Sequence, residues 1–379
     1  MVASQVLYDP ATPGFQARMH DVYRELRDHE PVHVTPDGTY VLSRFEDVWD
    51  AVHDWESFSS DHVAEAAFQA PTMIYMDPPR HAELRALVSR AFTPKRVADL
   101  EPRVREIAVG LLSGIGETFD VPHQLAAPLP SMVMAELIGV PDEHVESFRT
   151  WTEAFLEIAK PEDTVGRFDR IYDLFGVLLD ERRRVPADDL MSALLAAEID
   201  GVHLDDEELK GFCFLLLIAG NDTTTSLIGN GVELLARHPD QRAELVADPG
   251  LIPAAVEEMV RIEAPTQALP RTAMRDVAKH GVTIPAGSRV LLVWGSANLD
   301  EREFPDPTRF DIHRNATRHL GFGHGLHYCI GASLARLETR VAFEELLARM
   351  PAYRLAGQAE RYVSNWARAW RTLPVACGS

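Results

Sequence analysis

Phe322-Gly323-His324-Gly325-Leu326-His327-Tyr328-Cys329-Ile330-Gly331 is the stretch on which the fold of this chain turns, and an amphipathic segment, 332–349, follows it at once. A lone cysteine most often behaves as a small buried hydrophobe. Here glycines at 323, 325 and 331 permit positive φ and close backbone approach, so the chain can fold around Cys329 and aim amide N–H groups at its sulfur. Those donors, with the N-terminal end of the following helix, stabilise a thiolate. A thiolate in a glycine-rich loop before a helix is what a haem iron with a cysteine axial ligand requires. Two rival readings compete. His324, His327 and Cys329 offer three zinc ligands with His319 as a fourth, but the spacing is not that of a finger or ribbon, and zinc gives no reason for the glycines. Gly321-x-Gly323-x-Gly325 resembles half a dinucleotide fingerprint, yet Leu326 or Tyr328 stands where the third glycine belongs.

Outward from this loop, the 379 residues suffice for a large buried core. Apolar residues at 46% and charged residues at 25% exclude a mainly disordered chain, a collagen and a coiled-coil rod. A formal charge of −21 argues against general nucleic-acid binding, which needs a dominant basic face. Three cysteines, Cys213, Cys329 and Cys377, are odd in number and widely spaced, so a reducing cytoplasm fits and a disulfide framework does not. The N-terminus lacks a secretory pattern, and the longest apolar run, 212–220, is far below the ~18 residues of a membrane span. A soluble cytoplasmic protein is expected.

Val32–Val34 and Thr39–Leu42 flank Pro36-Asp37-Gly38 and predict a β-hairpin. From about Arg80 helical periodicity dominates: Leu84, Leu87, Val88 and Ala91 recur at helical spacing, as do Val104, Ile107, Ala108 and Leu111. Further helices are expected over 131–138, 144–158, 165–184 and 190–197. A long one should run from Asp205 or Asp206 towards Arg237, and two more cover 252–261 and 332–349. The expectation is a mainly α fold with a small β portion, one domain over 1–379, its strands mainly from 30–45, 277–294 and the C-terminal segment.

On the long helix, Leu216, Ala219, Gly220, Thr223 and Leu227 share one face, apolar with a small-residue notch and then a hydroxyl. Gly220 costs a helix ~1 kcal/mol relative to alanine, and a local penalty of that kind points to a site. Glu258-x-x-Arg261 places opposite charges on one helical face, and His81-x-x-x-Arg85 does the same for two cations.

The ten-residue loop resembles the haem-ligand signature of the cytochrome P-450 family, Phe-Gly-x-Gly-x-His-x-Cys-x-Gly, at every fixed position, Phe322, Gly323 and Gly331 among them. The likeness extends from Asp77-Pro78-Pro79-Arg80-His81 to Leu373-Pro374-Val375. It implies the P-450 fold, with haem b between the long central helix and the cysteine loop, and Cys329 as the iron's axial ligand. Ala219-Gly220-Asn221-Asp222-Thr223 matches the family's acid–alcohol motif: Ala219 and Gly220 then open a groove for dioxygen while Asp222 and Thr223 pass protons. His81, Arg85, Arg271 and His327 match the family's propionate contacts. Glu258 and Arg261 match its structural pair behind the haem, linked to a meander at Phe304-Pro305-Asp306-Pro307. One departure is Leu299, where the family commonly has arginine.

The implied activity is a monooxygenase that inserts one atom of O2 into a hydrophobic organic substrate, hydroxylation being the default. The implied protein is a monomer. Its electrons come from a separate ferredoxin or flavodoxin with its reductase, docking on Arg85, Arg90, Lys95, Arg96, Arg314, Arg318 and Arg336. Family geometry puts substrate walls at 60–76, 150–165, Leu216 and Ala219, 266–269 and 364–368. A haem-thiolate sensor has no use for Asp222 and Thr223. A zinc hydrolase would use His324, His327 and Cys329.

Overall fold

A computed structural model of the chain describes residues 6–61, 72–141, 143–147, 161–198, 201 and 203–378. Its axis is the long helix. Asp205 accepts from the Glu208 amide while the Glu208 carboxylate accepts from the Asp205 amide, a reciprocal cap that starts the helix over Asp206–Arg237. By length and composition this helix is apolar enough to cross a bilayer, but 72% of its most apolar window is buried inside the protein, as befits a core element.

Seven helices position the site: α1 (Pro13–His29), α2 (Arg80–Ala91), α3 (Glu101–Ser113), α4 (Pro128–Ile138), α5 (Asp206–Arg237), α6 (Ile252–Ile262) and α7 (Ala332–Arg349). Leu84, Leu87 and Val88 on α2, and Val104, Ile107 and Ala108 on α3, are buried at the spacing read from the sequence. The helix expected over 144–158 lies mostly outside the described residues. That expected from 165 begins at Pro161. Gly231 lets α5 and α7 meet closely, since a Cβ there would stand 2.6 Å from the Phe343 ring.

The sheets join distant segments. β1 (Val32–Val34) and β2 (Tyr40–Leu42) form the predicted hairpin. β2 then pairs in parallel with β6 (Arg289–Leu292), Tyr40 opposite Val290 and Leu42 opposite Leu292. β5 (Leu269–Ala273) and β3 (Phe58–Ser59) complete that sheet in the order β1-β2-β6-β5-β3. β4 (Thr118–Asp120) and β7 (Tyr353–Leu355) pair antiparallel on either side of β8 (Pro374–Cys377). Strands β3, β4 and β5 lie outside the segments expected to carry the β portion. They are short and take their pairing from partners far along the chain, a signal that local alternation does not carry.

A buried ionic knot ties the ends together. Glu263, at the C-terminal end of α6, bonds Arg368, with Arg361 at 3.7 Å and His20 of α1 at 3.6 Å. Burial pushes the Glu263 carboxyl up, but Arg368, His20 and Arg361 outweigh it and hold the group at about 2. A carboxyl depressed in the folded state adds stability that is full above its ordinary value near 4.5 and is lost as pH falls towards 2. The size is roughly 3 kcal/mol. Urea midpoints measured from pH 7 down to pH 3 should therefore fall less steeply below pH 4.5 in Glu263→Gln than in the parent, although the variant starts from lower stability.

Candidate active site

A largely apolar cavity lies between α5 and the Cys329 loop. Leu216, Ala219, Gly220, Thr223 and Leu227 all line it, so the helix face read from the sequence is the cavity's roof. The Thr223 hydroxyl donates to the Ala219 carbonyl one turn back, which leaves its oxygen lone pairs available on the cavity side. The missing Gly220 side chain also makes room for Met134 of α4, whose sulfur would stand 2.9 Å from a Cβ. Asp222 does not line the cavity; it is buried beside it, 1% exposed.

On the opposite wall, the ligand loop turns through Gly323 and Gly325, both at φ +66°. A Cβ on Gly325 would come 2.4 Å from the Val52 carbonyl oxygen, so this turn admits glycine alone. The Cys329 amide donates to the Phe322 carbonyl at 2.8 Å and closes the loop. The Cys329 side chain has accessible surface, but it is cavity wall, enclosed by protein. Burial raises its thiol above the ordinary range, opposed by the Gly331 amide, Arg85, Arg336 and the Ala332 amide. The loop and the start of α7 thus offer the sulfur two N–H donors, and α2 and α7 each bring a cation near it. A metal bound there would hold it deprotonated outright.

His81, Arg85 and His327 line the cavity, and buried Arg271 stands close enough to act on His327 electrostatically. The His81 and His327 rings are 4.3 Å apart. Among the described residues neither buried His81 ring nitrogen has a hydrogen-bond partner, whereas His327 Nε2 meets Ser60 Oγ at 3.1 Å. Burial pushes His327 down to about 3, with Arg271, His81 and Arg85 adding to the effect, and burial lowers Arg271 to about 10. Asp77 is the carboxylate among them, and it is tied to Ser59 and Ser60. Unsatisfied donors gathered with this excess of positive potential suit an anionic group with two acceptor arms, which the carboxylates of a haem supply. The indole N–H of Trp294, also in the cavity wall, is buried without a partner among the described residues.

Behind the loop, Glu258 and Arg261 are fully buried. Arg261 donates twice to the Glu258 carboxylate, at 2.7 and 2.8 Å, and its third nitrogen reaches the Asn298 and Pro307 carbonyls at 2.8 Å each. Arg314 and the Asp311 amide also donate to Glu258, at 3.1 and 3.2 Å. The role of Arg314 is a correction to the sequence reading, which placed it on a docking face; it anchors the meander instead. Arg318 pairs with Glu303 and covers Trp49 at 4.4 Å. Leu299, the departure noted above, is 1% exposed and packs into the core.

Of the expected substrate walls, Met73, Ile74, Thr266 and Leu269 line the cavity, whereas 62–71 and 150–160 lie outside the described residues. The 364–368 turn stands behind the wall: Ala367 bridges Thr266, and the Trp366 carbonyl accepts from the Gln267 amide. The zinc alternative finds no support in the geometry. His324 turns outward to His53, His319 bonds Glu257, and among the described residues no group of three such side chains is placed to hold a metal ion.

A cavity so built fits a haem with a thiolate ligand. Residues 169–351 match the family model described as Cytochrome P450. The chain is 43% identical to Cytochrome P450 130 of Mycobacterium tuberculosis, over 88% of this chain and 89% of that one. It is 41% identical to the Vitamin D(3) 25-hydroxylase of Pseudonocardia autotrophica, over 98% and 96%. Among solved structures, a cytochrome P450 from Chondromyces apiculatus superposes with a TM-score of 0.92 at 41% identity, covering 97% of each chain. The chain belongs to the cytochrome P450 family. It is a haem-thiolate monooxygenase that takes haem b through a cysteine and acts on a hydrophobic organic substrate.

Proposed function

We propose that Cys329 is the iron ligand, that His81, Arg85, Arg271 and His327 hold the haem carboxylates, and that the chain hydroxylates a bulky polycyclic or macrocyclic substrate. The observation that carries this reading is the single cavity walled by Cys329, the carboxylate-seeking cations and the apolar face of α5. When bound, the haem supplies dioxygen activation, with the thiolate's electron density favouring O–O cleavage. The chain's own residues do the rest. Leu216, Leu269 and Ile74 exclude water and orient an apolar skeleton, and the Thr223 hydroxyl relays a proton into the cavity from the side on which Asp222 is buried. The size of the substrate is suggested by relatives named for what they hydroxylate, vitamin D3 and erythromycin, and by a Bacillus megaterium P450 solved with testosterone, 34% identical with a TM-score of 0.88.

Electrons reach this chain from a separate ferredoxin or flavodoxin with its reductase, and the protein works as a cytoplasmic monomer. Arg85 and Arg336 both reach Tyr328, next to Cys329, and these cations support the loop side as the docking face. The test is reconstitution with a heterologous ferredoxin and reductase under isotopically labelled dioxygen. Vitamin D3, a macrolide and testosterone serve as probes, read first by the spin-state shift of the Soret band. One labelled atom in a product supports the reading; no shift with any of the three would overturn the substrate class. Thr223→Ala should lower product formed per electron consumed by about tenfold. That is less than the ~10²–10⁴ of a direct proton donor, because Thr223 passes on a proton it does not own. Thr223→Ser should restore most of the loss.

A further inference from the structure

Glu257 and Glu258 are neighbours on α6, but their side chains leave the helix in different directions. Glu258 holds the meander. Glu257 reaches the ligand loop, and it does so at both ends. Before the loop, His319 Nδ1 accepts the Gly321 amide at 3.1 Å, so Nε2 carries the proton and donates it to Glu257 Oε2 at 3.0 Å. After the loop, Arg336 on the first turns of α7 donates Nε to Glu257 Oε1 at 2.6 Å and Nη2 to Oε2 at 2.9 Å. The same guanidinium lies 4.4 Å over the Phe322 ring and donates to the Tyr328 hydroxyl at 3.1 Å. Phe322 and Tyr328 flank the turn, and the Phe322 carbonyl takes the Cys329 amide. One carboxylate is therefore connected to Cys329 through two short, continuous paths.

We propose that Glu257 is the positioning residue that clamps the Cys329 loop from both ends and keeps the sulfur where the iron requires it. The inference rests on Cys329 as the ligand. Burial would raise the Glu257 carboxyl, but His319 and Arg336 outweigh it and hold it at about 2, so the clamp stays ionised through the physiological range. Gly321 shows how close the loop is drawn to α6: a Cβ there would stand 2.3 Å from a Val260 methyl and 2.7 Å from its carbonyl oxygen.

The experiment uses the haem-loaded Glu257→Gln protein beside Glu345→Gln, which removes an ion pair between α7 and Arg105 without touching the loop. Hydrogen exchange of the 320–331 amides should quicken about tenfold in Glu257→Gln alone, while α5 amides stay protected. The carbon-monoxide spectrum of the reduced variant should show part of the haem without its thiolate signature. Unchanged loop exchange, or equal change in Glu345→Gln, overturns the clamp. If Glu257→Gln does not fold, Arg336→Lys keeps the charge and loses the fork. It should show the same loop-confined quickening, and its absence is equally decisive against the proposal. A parent protein that lacks the thiolate band refutes Cys329 ligation instead, a result distinct from every outcome above.

Discussion

Cys329→Ser should remove the red-shifted carbon-monoxide band of the reduced protein entirely. Monooxygenase turnover should fall by about 10³-fold or more, the scale of losing a group on which the chemical step depends. A serine hydroxyl is a weak, protonated oxygen donor at neutral pH and cannot supply the electron-rich sulfur that the chemistry needs. The loop itself should survive, because its closure is the Cys329 amide on the Phe322 carbonyl, which the side chain does not touch. The melting temperature of the apo protein is therefore expected to hold within a few degrees, separating lost chemistry from lost fold. The other two cysteines are internal controls. Cys213 is buried on α5, and burial pushes its thiol up to about 12; Cys377 lies on the terminal strand. Serine at either position should leave the band in place. Loss of the band in Cys213→Ser with retention in Cys329→Ser would overturn the assignment.

The second large effect is thermodynamic. Glu258→Gln should destabilise the fold by about 3–5 kcal/mol, because it leaves the buried guanidinium of Arg261 and the largely buried one of Arg314 without a counter-charge. In a chain of this size that corresponds to a melting temperature lower by roughly 4–6 °C. The amide can still accept one hydrogen bond from Arg261, so geometry is preserved better than in an alanine variant and the lost charge dominates. Arg318→Ala offers the contrast. Arg318 is exposed and its partner Glu303 partly so, and pairs open to solvent contribute about 1 kcal/mol or less. Equal losses in the two variants would mean that burial is not what makes the Glu258 pair matter.

What could be read in advance was whatever chemistry is local. The ligand loop announced itself because three glycines and a cysteine serve no simpler purpose at that spacing, and the roof of the cavity followed from 3.6-residue periodicity on α5. The long helix, the first hairpin and α7 were readable for the same reason: a carboxylate-rich start, a Pro-Asp-Gly turn and an amphipathic repeat each act within a few residues. Glu257 was silent because its partners His319 and Arg336 are far along the chain, and no local rule distinguishes it from a solvated surface glutamate. Arg314 was misplaced on similar grounds: an arginine after a proline-rich meander looks like surface until Glu258 is seen beneath it. The reason for Gly220 was only half visible, since Met134 comes from another helix. Pairing of the short strands was invisible because their partners, not their own residues, decide it.

The parallel register of Tyr40–Leu42 against Val290–Leu292 also bears on how the chain is made. Synthesis runs from the N-terminus, so the first hairpin leaves the ribosome long before the strand that covers its inner edge exists. Until residue 290 emerges, Val41 and Leu42, wholly buried in the finished protein, have no permanent neighbour on that side. The nascent N-terminal third is thus a natural client for chaperones, and release of the last quarter of the chain is the event that lets the whole sheet close.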